Sequence, residues 1–369
     1  MDADWMHFSN EGELPSPALV LHSERIEQNI LRMIAIAGGA NRLRPHVKTH
    51  KIPQLVALQI ALGITKFKCA TIAEAEMTAA SGAADVLLAL QAVGPSVARL
   101  LRLKSAFPTT RFSTIADDAN AVGEMARIAS AAGVELDVYL DLDVGMGRTG
   151  IVPGEAAADL YELISRQPAL KAAGLHAYDG HLHQTDVEER RNACDAAFAK
   201  VDSMVELLRQ KGFPVPALVA GGTPTFPMHA ARSGVECSPG TTVLWDAGYS
   251  KKLPDMEFLP AATLLSRVIS KPGGGRICLD LGHKAVASEM PHPRVVFPRF
   301  PGASFVSHSE EHLVLEGVGA DALAVGDVVH GIPWHVCPTV ALHSAAYVVR
   351  RGIASEIWPV TARARCITV

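Results

Sequence analysis

The sequence predicts an α/β chain, a (β/α)8 barrel followed by a β-rich domain, on three observations. Between about residues 40 and 245, short Val-, Leu- and Ile-rich runs alternate with longer segments of helical periodicity. About eight such runs can be read, the number that closes a (β/α)8 barrel. After about residue 250 the helical stripes fade, and short apolar runs punctuated by Gly and Pro take over.

Taken in order, the barrel strands are expected at "RLRPHV", "KFKCAT", "DVLLAL", "RFSTIA", "LDVYLDLDV", "LKAAGLHAY", "PALVAG" and "GVECSPG". The segments between them carry helical stripes. Val122, Met125, Ile128, Ala129 and Ala132 share one face, as do Cys194, Phe198, Val201, Val205 and Leu208. An open doubly wound sheet shows the same alternation, so the number of strands carries the preference for a barrel. The later runs "LLSRVIS", "RICLDL", "RVVFP", "LVLEG", "DVVHGIPWHVCPTVAL", "AAYVVRRG" and "EIWPVTARAR" read as the β domain. The division expected is a barrel over 15–250 and a β domain over 251–369 with residues 1–14. "PALVLH" reads either as a strand of the β domain or as a lead into the barrel.

The bulk numbers exclude several classes. The formal net charge is -4 over 369 residues, with no basic run, so nucleic acid is not an expected partner. No apolar run approaches the roughly 18 residues of a membrane span. The start, "MDADWMHFSNEGELP", lacks the basic and apolar parts of a signal peptide. Cys69, Cys194, Cys237, Cys278, Cys337 and Cys366 are scattered without a CxxC, which points to reduced thiols and a cytoplasmic location.

Active sites of such barrels gather at the C-terminal ends of the strands. Lys48 follows the first strand, Arg148 the fifth, and Tyr178, His181 and His183 the sixth. "GGTPT" follows the seventh, and "GTT", from Gly240, follows the eighth. All fall on one rim. Glycines and threonines on the last two loops suit an anion, because backbone N–H groups approach closely and hydroxyls add donors. A lysine is ordinarily a solvated charge. In "RLRPHVKTHK", however, Arg44, His46 and His50 surround Lys48 with groups able to lower its pKa and orient a ring. Lysine is also the residue that forms a Schiff base with an aldehyde cofactor.

Together and in this order, "RPHVKTHK", "TIAEAE", "DVGMGRTG", "AYDGH", "GGTPT", "SPGTTV", "SEEHLVLEG" and "IPWHVCPTVAL" resemble the D-threonine aldolase family. That family also holds D-serine dehydratases and D-threo-3-hydroxyaspartate dehydratases. The resemblance implies a fold-type III pyridoxal phosphate enzyme of alanine racemase type, ordinarily a homodimer, acting on a small D-amino acid. Lys48 matches the Schiff-base lysine, Arg148 the arginine near the cofactor pyridine, and Tyr178 the cofactor-contacting tyrosine. Gly222, Thr223, Gly240 and Thr241 fall where the family grips the phosphate, and His335 and Cys337 match its metal pair. Trp334 and Thr242 depart from the family pattern.

On an extended strand, residues two apart point to the same side, so His335 and Cys337 are expected to reach one ion. Two ligands are too few for a closed structural zinc site and leave positions open for a substrate. Thiolate with imidazole favours zinc over manganese or magnesium. His343 is a further polar neighbour. The expected reaction is aldol cleavage of a D-β-hydroxy amino acid such as D-threonine to glycine and an aldehyde, with His183 as the base. Cysteine at 337, where the family's aldolases often carry aspartate, keeps open β-elimination by a dehydratase. Readings of other classes are a non-catalytic pyridoxal phosphate carrier and a racemase using Tyr249 or Tyr347.

Overall fold

A computed structural model describes residues 4–317, 319 and 322–369; residues 1–3 of the expected 1–14 segment lie outside the described residues. The chain divides into two compact units. One comprises 33–48, 53–240 and 364–369, and the other 4–32, 49–52 and 241–363. The first strand, β1 (Ala18–His22), belongs to the second of these. It was expected within 15–250, but it pairs with strands of the β unit, which settles how "PALVLH" is used.

The barrel unit holds β2 (Lys66–Cys69), β3 (Asp85–Leu88), β4 (Arg111–Ala116), β5 (Leu136–Leu142), β6 (Leu170–Ala177), β7 (Leu218–Ala220) and β8 (Val235–Cys237). They form one parallel sheet in chain order. Each lies at an expected run. The exception is "RLRPHV", which is no full strand. Leu43 bridges to Cys237 and His46 to Lys68, so residues 43–46 fill the eighth place and close the ring. Pro45 supplies no N–H, and a continuous ladder cannot run through it. It still accepts from Lys68 N (2.9 Å), while Arg44 N donates to Cys237 O (2.8 Å). Leu87, Ile115, Tyr139, Ala173 and Val219, one from each of five strands, pack together as an apolar cluster.

The N-terminal ends of the strands carry an ion-pair ring. Arg44, 1% exposed, donates to Asp85 (2.6 Å) and Glu236 (2.7 Å), Arg111 to Asp137 (2.8 Å), and Lys66 to Glu236. Arg44 therefore does not orient a ring beside Lys48, as the sequence suggested. It is one of the charges pairing the strands at the opposite mouth, where barrels keep stability rather than chemistry. Helices cover the outside. Ile72–Ala80 starts at "TIAE", where Thr71 accepts from Glu74 N (3.1 Å) and Glu74 accepts from Ala70 N (2.6 Å). In Val187–Gln210 the expected stripe is buried, with Met204 taking the place of Val205. In Ala119–Ala132 it includes Val122, Met125 and Ala129 but not Ala132.

The β unit is built on β9 (Ala262–Gly273), β10 (Arg276–Leu279), β11 (Val295–Val296), β12 (Ser304–His308), β13 (Leu313–Glu316), β14 (Val328–Pro333), β15 (Ala345–Arg350) and β16 (Ile353–Pro359). The main path runs β12-β13-β10-β9-β1-β15-β16, with β14 also on β9 and β11 on β14. Only β1 and β15 pair in parallel among these described strands. Phe8, Leu14, Ala18, Val20, Leu265 and Val349 form one of its apolar clusters.

Candidate active site

Within the barrel unit, the C-terminal strand ends place three cations around one phenol. Tyr178 follows β6 directly. Lys48 Nζ lies 5.7 Å from its ring centre, Lys68 Nζ 5.4 Å and the Arg148 guanidinium 4.8 Å. All are within cation–π range. The ring can sit there because two neighbours are glycines. A Cβ on Gly180 would collide with the Tyr178 hydroxyl, and one on Gly222 would come within 3.0 Å of Cε2. Lys48 is half-buried in the turn Val47–Thr49, and its backbone N–H donates to His46 Nδ1 (3.3 Å). His50 is buried and accepts from Ile52 N (3.1 Å), so it serves the backbone.

Lys68, on β2, is 2% exposed. Burial, together with the Lys48 ammonium, pushes it down to about 7, although Asp179 and Asp141 pull the other way. Both acids already have imidazole partners. His176 Nδ1 donates to Asp141 (2.6 Å), and His229 Nε2 donates to Asp179 (2.7 Å). Burial opposes ionisation of Asp179. The bonds from His229 and from Thr225 Oγ1 (2.8 Å) nevertheless hold it below the usual carboxylate range. Burial pushes His176 below the usual imidazole range, although Asp141 pulls the other way. The mouth thus carries cationic charge whose nearest acids are otherwise engaged.

The two glycine-threonine loops are tied together, Gly240 N donating to Thr223 Oγ1 (3.1 Å). Gly221 takes a left-handed φ of +78°, and a Cβ there would collide with His229. This surplus of positive charge beside an aromatic ring and a half-buried amine fits an anionic aldehyde such as pyridoxal phosphate.

In the β unit the expected extended pair takes a different form. His335 caps the helix Val336–Leu342, so Cys337 lies in a first helical turn, not on a strand. Buried Asp246 explains the change. It accepts from Val336 N (3.0 Å), at the start of the helix where "PWHVCPT" was read as β, and from Tyr249 N (2.8 Å), capping the helix Ala247–Lys252. The two side chains still meet. Burial opposes ionisation of the Cys337 thiol, yet His335, with Thr49 (3.2 Å) and Thr241 (3.5 Å), holds it below the ordinary thiol range. Burial likewise opposes the His335 charge, but Cys337 and Glu289 raise it to about 9. Glu289 accepts from His335 Nδ1 at 2.5 Å. A divalent ion would replace the proton this pair shares, with Glu289 fixing the ring, so the donor set fits a metal. Asp246 is itself pushed up to about 6 by burial. His343 Nε2 donates to Ala285 O (2.8 Å).

The sequence-predicted residues thus assemble as two groups, each within one unit. Lys48, Arg148, Tyr178, Gly222, Thr223 and Gly240 lie at the barrel mouth, and Thr241, His335 and Cys337 lie in the β unit. His183 is exposed in the loop after β6, and its neighbour His181 packs over Gly145 instead. Lys68, Asp179, His229 and Asp246 were missed. Lys68 offered one signal, a charge between Phe67 and Cys69 in a strand otherwise read as buried.

Comparison with known proteins gives a consistent picture. Residues 21–245 match the family model "Alanine racemase, N-terminal domain", and residues 261–349 match "Putative serine dehydratase domain". The chain is 33% identical to a D-threonine aldolase of Arthrobacter sp., over 94% of this chain and 92% of that one. It is 30% identical to a 3-hydroxy-D-aspartate aldolase of Paracoccus denitrificans, over 96% and 94%. The solved D-threonine aldolase of Filomicrobium marinum superposes with a TM-score of 0.89 at 30% identity, over 95% and 96%.

Proposed function

The chain belongs to the alanine racemase-like family that includes the D-threonine aldolases, and from that premise we propose that it is a pyridoxal phosphate-dependent lyase cleaving D-β-hydroxy amino acids, D-threonine first among them, to glycine and an aldehyde. The observation that carries the reading is Lys48 beside a phenol ring that also faces Lys68 and Arg148. The relatives named above, at 30% identity or more over almost the whole chain, are aldolases, which supports cleavage over elimination.

Pyridoxal phosphate, when bound, supplies an electron sink for charge left at the substrate Cα. A divalent ion held by His335 and Cys337, zinc by the softness of the thiolate, supplies a Lewis acid. Around these, the chain's own residues have distinct tasks. Lys48 Nζ is the covalent anchor. Tyr178 and Arg148 orient the ring, and Gly222, Thr223, Gly240 and Thr241 hold the phosphate end. Lys68 balances charge at the mouth from within the barrel. His183, on its exposed loop, takes the β-hydroxyl proton. We place the enzyme as a homodimer in the cytoplasm, where its six cysteines, none of them in a disulfide, would stay reduced. No helix among the described residues is long and apolar enough to cross a membrane.

The dehydratase is the second reading, favoured by the thiol at Cys337 and by the match over 261–349. In it Lys48 Nζ removes the Cα proton. Incubation with D-threonine and added divalent metal decides between the two. Glycine and acetaldehyde are expected, and Lys48→Ala should abolish both the activity and the absorbance near the visible edge. Pyruvate from D-serine without glycine from D-threonine would establish elimination instead. An unaltered spectrum in Lys48→Ala would remove the cofactor assignment.

A further inference from the structure

A cluster unused by this chemistry lies at the start of the chain. His7, Glu11 and His330 come from a loop, the short turn Glu11–Glu13 and β14, and each offers a ligand atom within 4.8 Å of the others. His7 Nδ1 is 3.2 Å from each Glu11 oxygen, and His330 Nε2 is 2.8 Å from Oε2. The two imidazole centres are 5.2 Å apart, with planes at 85°. Two imidazoles on one tetrahedral zinc, with Zn–N of about 2.0–2.1 Å, bring ring centres to roughly 5 Å. The rings thus already hold the spacing an ion would impose.

The surroundings fit such a site. His330 has a side chain 1% exposed, Glu11 25% and His7 42%, so the cluster runs from the interior to the surface and leaves one side open to water. The other nitrogen of His330, Nδ1, is buried without a hydrogen-bond partner, so the ring's polar contacts are confined to the cluster. Phe8, Leu14, Val20, Leu265 and Val349 form an apolar cluster that includes this segment, the kind of shell that strengthens ligation. The backbone is held independently. Ser9 N donates to Gly352 O (2.9 Å), Asn10 exchanges bonds with Ala354 (3.0 and 2.9 Å), and Arg267 donates to Gly12 O (3.0 Å). The ligands need not move far to close on an ion.

We propose that His7, Glu11 and His330 form a second divalent-cation site, of zinc type with two imidazoles and one carboxylate, that clasps the N-terminal segment to β14. It is distinct in sequence and ligand chemistry from the His335–Cys337 pair. One leaves the solvent side for water; the other has a thiolate and needs an open position for substrate.

The test counts metal on the untagged holoenzyme, dialysed against chelator and reloaded with Zn2+ or Co2+. Wild type, His7→Ala, Glu11→Gln and the double variant His335→Ala, Cys337→Ser are compared. His7 is exposed, so its removal leaves the fold standing even if Glu11→Gln unsettles it. The expected result is that His7→Ala and Glu11→Gln each bind one ion fewer than the parent, lose a visible cobalt d–d band and keep lyase activity. The double variant keeps that band. If the cluster variants bind as much zinc and cobalt as wild type, the proposal is overturned, and the cluster is a carboxylate bridging two imidazoles. If instead the double variant loses no ion, the metal pair of the lyase reading fails while this site stands.

Discussion

Lys68 shows how a single residue can work against the fold that contains it. Its folded value, about 7, lies below the ordinary 10.5 because burial and the Lys48 ammonium disfavour the charge. Between those values the unfolded chain keeps a proton that the folded chain gives up. Stability from this group therefore rises as pH climbs from about 7 to about 10, and the full penalty is present below about 7. Lys68→Met should raise the melting temperature of the cofactor-stripped protein at pH 7, with the gain shrinking toward pH 10. The same variant should lose roughly 3- to 30-fold in kcat/KM, the worth of a desolvated cation beside an aromatic ring of about 0.5–2 kcal/mol. Melting curves across pH check the first claim and steady-state kinetics the second. A variant no more stable at pH 7 than the parent would mean that burial imposes no such penalty on the Lys68 charge. Little of this was legible in the sequence. Lys48 could be placed at the barrel mouth because it follows the run "RLRPHV", on the side where function gathers. Lys68 lies inside one, where periodicity reports burial but not the charges that other strands bring near it.

Helix Val336–Leu342 makes the corresponding point for elements. A strand was the natural reading of "DVVHGIPWHVCPTVAL", since its apolar alternation continues past Pro333. What starts the helix there is Asp246, ninety residues earlier in the chain, accepting from Val336 N. No local pattern encodes a partner so distant. The two side chains still meet, because either backbone allows it, but on a helix start and not on the expected strand. The barrel strands were more legible, since each is set by its own apolar run, and "RLRPHV" failed where Pro45 withholds a donor. Asp246→Ala should then strip the acceptor from two N–H groups and cost about 1–3 kcal/mol. It should also loosen the proposed metal site at His335 and Cys337, whereas Asp246→Asn, which keeps only one of the two acceptor oxygens, should recover part of both. Thermal melts and zinc titration of the two variants measure this. Equal zinc affinity in Asp246→Ala and wild type would separate the helix start from the metal pair.

At the scale of the whole molecule, the division of the chain was only partly readable, because compact units are assembled by pairing rather than by sequence order. β1 joins β9 and β15, although the strands that follow it in the chain are those of the barrel. Residues 364–369 likewise return to the barrel unit after the β unit is complete. Composition gives no warning of that return; the anchors do. Glu76 is 3% exposed on its helix and accepts from Thr368 N (2.9 Å) and the Thr368 hydroxyl, while Arg99 donates to Val369 O (2.7 Å) and Arg365 O (3.1 Å). A buried carboxylate depends on such donors, and losing them exposes the chain to the cost of an unpaired charge. Deleting 364–369 should therefore destabilise the barrel unit by about 1–3 kcal/mol, lowering its melting temperature by roughly 3–10 °C. Glu76→Gln in the truncated chain should recover part of the loss, because the amide tolerates burial without the missing donors better than a carboxylate does. Circular dichroism melts of the three proteins test this. A truncated chain that melts with the parent would show that water replaces the tail at Glu76, and that the last residues lie on the barrel without holding it together.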